Sequence, residues 1–318
     1  MILEILFIIV GFVFLIKGAD FLVDGSSNIA KKFKIPEIII GLTIVSIGTS
    51  MPELFVSITS SIDSLSDVAI GNVIGSNLCN LLLILGLSSL IMPIKVQKGT
   101  KYIDIPLCLI FSFFFMLFCN TNEIITKNEA FLLIVLFVIF IFYTIFVAIT
   151  EMRKMTIKSK GKIKISEKIP LLKNIFFVVI GIVFLKVGGD LSVDNAVLVA
   201  RRLNISEKVI GLTILAVGTS LPELITSITA SLKGNCDIAI GNIIGSNIFN
   251  MLFIIGVSAI ISPINYNLSY NFEMVLFIVS VLLLWLFLLL SRKNEMNKCH
   301  GIVYLSIYLV YLLVLLVF

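Results

Sequence analysis

Two glutamates stand in the middle of long apolar segments, where a charged side chain is costly. Glu53 and Glu223 each end the same short motif, Gly-Thr-Ser-x-Pro-Glu, and apolar residues flank both copies. An ionised carboxylate at membrane depth costs several kcal/mol unless it is paired or faces water. Two such acids in matching motifs favour a cation-binding site over structural packing, which is the alternative interpretation. The sequence therefore predicts that both carboxylates bind a cation.

The residues before each glutamate add oxygen atoms to this predicted site. Pro52 lacks a backbone donor and clashes with the carbonyl one turn back, so it loosens the helix beside Ser46. The second motif is built in the same way beside Ala216. A broken helix can offer such carbonyl oxygens to an ion. Thr49 lies four residues before Glu53 and shares its helix face, although back-bonding to the helix is an alternative for one or two of the hydroxyl groups.

A second repeated motif, Gly-Asn-x-Ile-Gly-Ser-Asn-x-x-Asn, supplies hydroxyl and amide oxygens. Its polar members are Asn72, Ser76, Asn77 and Asn80 in the first copy and Asn242, Ser246, Asn247 and Asn250 in the second. Ser76 and Asn80 share a helix face, whereas Asn77 lies about 100° round the helix, where a hydrogen bond between helices is expected. Ca²⁺ and Na⁺ prefer this all-oxygen set, and Mg²⁺ is less favoured because it dehydrates reluctantly.

Both motifs belong to an internal duplication with a constant offset of 170 residues. The segment 40–61 aligns without gaps on 210–231 with 15 of 22 residues identical, and 67–86 aligns on 237–256 with 13 of 20 identical. If each half holds five spans, the odd number inserts the second copy upside down. Inverted repeats are typical of secondary transporters, whose substrate site lies near the midplane at the repeat interface, although some channels share them.

The composition requires that lipid surrounds these elements. Apolar residues make up 59% of the 318-residue chain and charged residues 14%, against roughly 45–50% and about 25% in soluble domains. A soluble enzyme is therefore excluded, and a net charge of +5 is too small to indicate nucleic-acid binding. Since a helix needs about 20 apolar residues to cross a bilayer, ten spans are expected, the first of them not a cleaved signal. The predicted spans are 2–26, 38–61, 67–92, 103–120, 128–150, 172–196, 208–231, 237–262, 272–291 and 301–318.

A basic linker predicts how the chain is oriented. Residues 151–173 contain eight bases and two acids, and basic loops remain on the cytoplasmic side. Alternating outward from this linker places 18 bases inside and four outside. We therefore expect a multi-pass protein of the cell membrane with both termini outside. Its predicted organisation is a first five-helix repeat over 1–150, a basic cytoplasmic linker over 151–171, and a second five-helix repeat over 172–318.

The doubled GTSxPE and GNxxGSNxxN segments resemble the two α-repeats of the cation/Ca²⁺ exchanger superfamily, and most closely its prokaryotic sodium/calcium exchangers. The resemblance covers the whole ten-span layout. It implies an all-α integral membrane fold of ten transmembrane helices, arranged as two inverted five-helix repeats. The second and third helices of each half would then surround the ion sites, and the first helix of each half would slide over this core.

The resemblance also implies which residues bind the ions. The implied metal ligands are Ser46, Thr49, Ser50, Glu53, Ser76, Asn80, Ala216, Thr219, Ser220, Glu223, Ser246 and Asn250, with Ser46 and Ala216 acting through their backbone oxygens. The position of Asn250 is often aspartate in prokaryotic and K⁺-dependent relatives. An asparagine there implies a site with two negative charges and no dependence on K⁺.

The implied function is Na⁺-driven Ca²⁺ antiport by alternating access, with three Na⁺ exchanged for one Ca²⁺ and net movement of charge. Ca²⁺/H⁺ antiport is the nearest alternative, because carboxylates also titrate, and a passive cation channel is a weaker one. No catalytic arrangement is visible in the spans, so neither an enzyme nor a resident cofactor is expected. The expected partners are Na⁺, Ca²⁺ and the lipid bilayer, without nucleic acid. No protein partner is evident in the sequence, and a monomer is compatible with it.

Four further aspartates allow two interpretations. They lie near the ends of the first span of each half, in pairs four residues apart: Asp20, Asp24, Asp190 and Asp194. Pairs with this spacing share a helix face. They either cap or pair at the membrane interface or line the entrance for ions.

Overall fold

The computed structural model describes residues 2–158, 170–203 and 216–317, which form helices joined by short turns and four two-residue strands. The helices of the first half include three π-helical segments, in which each backbone hydrogen bond spans one residue more than in an α-helix. The first half comprises α1 (Ile2–Phe33), α2 (Glu37–Ile40), a π segment (Gly41–Val45), α3 (Ser46–Thr49), α4 (Met51–Ile62), α5 (Ser66–Leu78), a π segment (Cys79–Ile84), α6 (Leu85–Ile91), β1 (Ile94–Lys95), a π segment (Thr100–Asp104), α7 (Ile105–Asn120), β2 (Ile124–Ile125) and α8 (Lys127–Lys158).

The second half follows the same order in the residues that the structure describes. It comprises α9 (Leu171–Arg202), α10 (Ala216–Gly218), α11 (Leu221–Leu232), α12 (Cys236–Ile248), a π segment (Phe249–Ile254), α13 (Ile255–Ile261), β3 (Ile264–Asn265), a 3₁₀ turn (Leu268–Tyr270), α14 (Asn271–Leu290), β4 (Glu295–Met296) and α15 (Lys298–Val317).

Nine of the ten predicted membrane-spanning segments are present in the described residues, one of them as a bent pair of helices. Within the described residues, eight helical stretches are long and apolar enough to cross a bilayer. A ninth span is the pair Glu37–Thr49 and Met51–Ile62, whose axes differ by 48°. In the remaining predicted span, 208–231, residues 208–215 lie outside the described part of the chain. Most of the predicted linker lies outside it too. The all-α membrane fold expected from the sequence is therefore confirmed.

Helices α1 and α9 pack against each other in opposite directions, with glycines at the contact. Gly11 lies against Gly188, and Gly18 lies against Gly181. A Cβ atom at Gly18 would stand 2.8 Å from the carbonyl oxygen of Gly181, so only glycine permits this approach. Residue numbers rise along α1 as they fall along α9. The first span of each half is thus antiparallel to its counterpart, as an inverted duplication requires.

The short strands connect the two halves at their ends. Strand β1 pairs antiparallel with β4 through Ile94 and Met296, and β2 pairs antiparallel with β3 through Ile124 and Asn265. Each pair therefore takes one strand from each half. These pairs fasten the loops of one repeat to those of the other.

The third helix of each half lies at the centre of the molecule. In the most apolar stretches of Ser66–Ile91 and Cys236–Ile261, 72% and 83% of residues are buried, against 28% for α1. Helix α12 approaches the second span closely, because a Cβ at Gly241 or Gly245 would stand within 2.8 Å of a backbone carbonyl there. Burial on all sides matches helices that carry an internal site, whereas α1 has its apolar side chains free to face lipid.

Candidate ion-binding site

Both GTSxPE motifs break their helix at the same place. Ser50 has φ −86° and ψ 12°, and Ser220 has φ −88° and ψ 7°, so each serine interrupts the helix just before its proline. Helices α4 and α11 then begin, with Glu53 and Glu223 in their first turns. The positive end of a helix dipole favours a carboxylate in this position. The break therefore places each acid at a helix N-terminus in the buried centre, as the prolines predict.

The two carboxylates are buried and are bound by serines from the opposite repeat. Glu53 is 1% exposed and Glu223 is 0% exposed. Ser50 Oγ donates to Glu223 Oε1 over 2.7 Å, and Ser220 Oγ donates to Glu53 Oε1 over 3.5 Å. The serine of each broken helix thus donates a hydrogen bond to the glutamate of the other repeat. This brings both predicted acids and both predicted serines into one site.

The second oxygen of each carboxylate has no partner in the described part of the chain. Oε2 of Glu53 and Oε2 of Glu223 are fully buried and accept no hydrogen bond, and no described ion pair involves either acid. A buried carboxylate oxygen without a donor is costly. A cation between these oxygens would remove that cost.

Other predicted hydroxyl and carbonyl ligands lie beside the two acids. Ser76 Oγ donates to Glu53 Oε1 over 3.5 Å, and the carbonyl oxygen of Ser46 accepts from Ser246 Oγ over 3.4 Å. Thr49 Oγ1 lies 3.1 Å from the Val45 carbonyl, the back-bonding alternative. Ser46, Thr49, Ser76 and Ser246 are all buried. Ser76 contacts Glu53, and Thr49 and Ser246 contact Glu223.

Thr219 lies at the edge of the site. Thr219 is half-buried and lines a cavity of about 220 Å³ together with Pro222, Asp190 and Asp194. This cavity is lined by α9 and by both broken helices, and it is a candidate ion entrance. Ala216 begins α10, but its side chain and the preceding residues 204–215 are outside the part that the structure describes. Its predicted role as a carbonyl ligand stays a prediction.

The four aspartates of α1 and α9 differ between the two halves. Lys233, at the end of α11, lies 3.0 Å from Asp20 and 2.8 Å from Asp24. The residue equivalent to Lys233 in the first half is Asp63. Asp190 instead pairs with Lys186 of its own helix at 2.8 Å. Interfacial pairing therefore describes the α1 pair, while the α9 pair lines the cavity.

Four asparagines form a buried hydrogen-bonded group between α5 and α12. Asn80 Nδ2 donates to Asn247 Oδ1 over 3.2 Å, and Asn250 Nδ2 donates to Asn77 Oδ1 over 3.1 Å. Asn77 thus bonds between helices, as its position on the helix predicts. Asn80 and Asn250 are the second residues of the two π segments, and π-helical turns are frequent at functional sites. Their Oδ1 atoms are buried and accept no hydrogen bond within the described residues.

Sequence reasoning left one pair of functional asparagines without a role. Asn72 Nδ2 donates to the carbonyl of Glu53 over 3.1 Å, and Asn242 Nδ2 lies 3.5 Å from the carbonyl of Glu223. Asn242 Oδ1 also accepts from Thr49 over 3.0 Å. These two side chains fix the backbone of each acid. The sequence signal that could have indicated this role is that an asparagine stands at this position in both copies of the second motif.

The donor set suits hard cations. Within residues 2–158, 170–203 and 216–317, no three His, Cys, Asp or Glu side chains are grouped so that they could hold a metal ion together. The buried site therefore combines two carboxylates with neutral hydroxyl, amide and carbonyl oxygens. Ca²⁺ accepts six to eight such ligands with flexible geometry, and soft metals would require sulfur or imidazole.

Comparisons with known proteins agree with this arrangement. The sequence profile of the family described as "Sodium/calcium exchanger protein" matches residues 3–146 and again residues 173–317. The chain is 35% identical to the "Putative antiporter CaxA" of Alkalimonas amylolytica over 98% of both chains. It is 34% identical to the "Sodium/calcium exchanger MaX1" of Methanosarcina acetivorans over 98% of this chain and 97% of that protein.

A solved structure extends the comparison to three dimensions. The sodium-calcium exchanger NCX_Mj, soaked without Na⁺ and Ca²⁺, superposes with a TM-score of 0.84 at 32% identity. The match covers 99% of this chain and 99% of that chain. The same fold is thus shared over the full length, and the profile match to each half agrees with the internal duplication. The doubled motifs, the buried acids and these matches together show that the chain belongs to the sodium/calcium exchanger protein family.

Proposed function

We propose that this protein exchanges three Na⁺ for one Ca²⁺ across the membrane by alternating access. The observation that carries the proposal is the pair of buried carboxylates, Glu53 and Glu223, each with an unpartnered Oε2. They come from inverted repeats, and each accepts a hydrogen bond from a serine hydroxyl group of the other repeat. Such a centre is equivalent from both sides of the membrane, which is what alternating access requires.

The charge of the site determines how much charge moves. Glu53 and Glu223 supply two negative charges, and Asn250 is neutral. The site is then neutral when it holds one Ca²⁺ and carries one positive charge when it holds three Na⁺. A complete cycle therefore moves one net charge, and transport is electrogenic.

The ligands of the proposal are the oxygen atoms grouped around these two acids. They are Ser46, Thr49, Ser50, Glu53, Ser76, Asn80, Ala216, Thr219, Ser220, Glu223, Ser246 and Asn250. The buried hydroxyl groups and the free amide oxygens of the central asparagines support this set.

Movement of α1 and α9 as a pair is proposed to switch access. Their contact is formed by glycines, and Phe14 stacks on Phe184 with ring centroids 5.0 Å apart. Both helices carry few buried residues towards the centre compared with α5 and α12. These contacts hold α1 and α9 together as one unit, and neither helix supplies a proposed ligand. The pair can therefore move against the core without dismantling the ion site, although the Lys233 ion pairs with Asp20 and Asp24 would break.

The proposed orientation has the central linker in the cytoplasm and both termini outside. The linker is rich in lysine, and Lys233 and the bases of the other predicted inside loops follow the positive-inside rule. The antiparallel arrangement of α1 and α9 supports an odd number of spans in each half.

Uptake of ⁴⁵Ca²⁺ into liposomes tests the proposal. Vesicles loaded with Na⁺ and diluted into Na⁺-free buffer should accumulate ⁴⁵Ca²⁺, and Glu53→Gln or Glu223→Gln should abolish the uptake. Glu123→Gln is the matched control, because Glu123 is exposed. A K⁺ diffusion potential, negative inside or outside with valinomycin, should change the initial rate.

Three results would contradict the proposal. Unchanged uptake in both site variants would show that the carboxylates do not bind the transported ion. Uptake driven by a pH gradient in the absence of Na⁺ would assign Ca²⁺/H⁺ antiport instead. Flux that does not saturate and needs no counter-ion would assign a channel.

A further inference from the structure

Asn77 and Asn247 bind neither carboxylate, yet they are among the most buried polar residues of the chain. They are 2% and 0% exposed. Each lies three residues before a proposed ligand of its own repeat, Asn80 or Asn250, but the hydrogen bonds connect it to the ligand of the other repeat. The pattern is a reciprocal exchange: Asn77 accepts from Asn250, and Asn247 accepts from Asn80.

A backbone carbonyl, that of Asn247, determines which end of the Asn250 amide faces Asn77 and which end faces away from it. Asn77 Nδ2 donates to the main-chain carbonyl of Asn247 over 3.3 Å. A carbonyl oxygen can only accept, so Asn77 must turn its nitrogen to Asn247 and its oxygen to Asn250. Asn250 must then present its own nitrogen, and its Oδ1 is left buried without a donor. This chain of constraints assigns the amide orientation by hydrogen-bond capacity alone.

The same logic holds less strictly for the other pair. Asn247 Oδ1 accepts from Asn80, and Asn80 Oδ1 is buried without a donor. Asn247 Nδ2, however, has no partner within the described residues. Asn250 is therefore held more firmly than Asn80.

We infer that Asn77 and Asn247 are positioning residues that hold the amides of Asn250 and Asn80 with their oxygens towards the cation. A primary amide can rotate to present either a carbonyl oxygen or an NH₂ group, and only the oxygen binds a cation. The cross-repeat bonds occupy each NH₂ group and leave each oxygen free. This inference rests on the proposed function, because it assumes that Asn80 and Asn250 are ligands.

Replacement of the positioning residues by leucine, which has a similar volume, should weaken Ca²⁺ binding. In Asn77→Leu the amide of Asn250 loses the acceptor that orients it, so the KM for Ca²⁺ should rise about three- to tenfold, the range expected for one lost neutral hydrogen bond. Asn247→Leu should raise the KM through Asn80. The kcat should change less than the KM. The Ca²⁺-induced rise in melting temperature should shrink in parallel. The ion-free melting temperature should also fall by a few degrees, because Asn250 Nδ2 and the Asn247 carbonyl lose their partner.

Double-mutant cycles distinguish positioning from general packing. Asn77→Leu should add nothing in an Asn250→Ala background, and Asn247→Leu should add nothing in an Asn80→Ala background. The pairs within one repeat, 77 with 80 and 247 with 250, should instead be additive. If the effect were instead a local distortion of one helix, the pairs within one repeat would be coupled and the pairs across the repeats would be additive.

The outcomes separate this inference from the proposed function. A KM within twofold of the wild type, or coupling within one repeat instead of across the repeats, would overturn the positioning role. If Asn77→Leu fails to fold, Asn77→Ser, which retains a small polar side chain too short to reach Asn250, is measured in its place. Failure of wild-type vesicles to take up ⁴⁵Ca²⁺ would count against the proposed function, whereas the Ca²⁺-dependent melting temperature tests the asparagines without transport.

Discussion

Replacement of both buried carboxylates, Glu53→Gln with Glu223→Gln, separates the stability of the fold from the stability that ions add. In the ion-free wild type, the Oε2 atoms of both acids are buried without a hydrogen bond, and an unsatisfied buried group costs about 1–3 kcal/mol. Glutamine has the same shape without the charge. We therefore expect the ion-free double variant to unfold at a temperature no lower than that of the wild type.

Addition of ions should stabilise only the wild type. At a Ca²⁺ concentration of about 100 times Kd, binding to the folded state alone adds about 2.7 kcal/mol. For a chain of this size each kcal/mol raises Tm by about 1.5 °C, so the expected shift is about 4 °C. The double variant should show no shift with Ca²⁺ or Na⁺. Each single variant leaves one acid and should lose roughly a hundred- to a few-thousand-fold in Ca²⁺ affinity, the cost of removing one partner of a buried ion pair.

The assay is thermal unfolding in detergent, followed by the fluorescence of the single tryptophan, Trp285. Glu123→Gln controls for the loss of an acid at the surface. A Ca²⁺-induced shift in the double variant equal to that of the wild type would refute the reasoning, because the ion would then bind elsewhere. So would an ion-free double variant much less stable than the wild type, since the carboxylates would then stabilise the fold without a cation.

Three further substitutions or labels test the surrounding structure. In Gly18→Val the new Cβ would stand 2.8 Å from the Gly181 carbonyl. We expect the free energy of unfolding to fall by about 1–3 kcal/mol and kcat to fall with little change in Ca²⁺ affinity. The control Gly99→Ala, where a Cβ meets nothing within 4 Å, should match the wild type in ⁴⁵Ca²⁺ uptake. Lys233→Met removes a partly exposed ion pair with the two aspartates of α1 and should lower stability by less than about 1 kcal/mol in low salt and by nothing measurable in high salt. Although burial lowers the pKa of Lys233, the two aspartates raise it further, so this contribution should persist through neutral pH and fade only as the pH rises above about 10.5. Exposed Cys299 should react with a membrane-impermeant maleimide in inverted vesicles and not in intact cells; labelling from outside would reverse the proposed orientation.

Several features of the fold followed from local sequence. Pro52 and Pro222 predicted the broken helices, and the structure breaks each helix at the serine two residues earlier. The odd number of spans per repeat predicted opposite directions, and α1 and α9 are antiparallel. These predictions succeeded because backbone donors and apolar length are properties of a few neighbouring residues.

Other features had no local signal. The π segments Cys79–Ile84 and Phe249–Ile254 follow ordinary helix-forming residues. The four aspartates look alike in sequence, but Lys233 pairs with Asp20 and Asp24, while the equivalent position of the first half is Asp63. The difference arises from a residue more than 200 positions away, which no pattern within α1 could reveal.

The sequence alone determined the duplication, the oxygen donors and the two acids at membrane depth, because each depends on residue type and spacing within one segment. Only the tertiary structure decided which donor meets which acceptor. Ser50 bonds to Glu223 and Asn250 bonds to Asn77, in both cases 173 residues apart. Helical periodicity specifies the face on which a side chain lies, but not how deep one helix sits against another or how it is rotated. Those two quantities come from packing between the inverted halves, and they assemble the site.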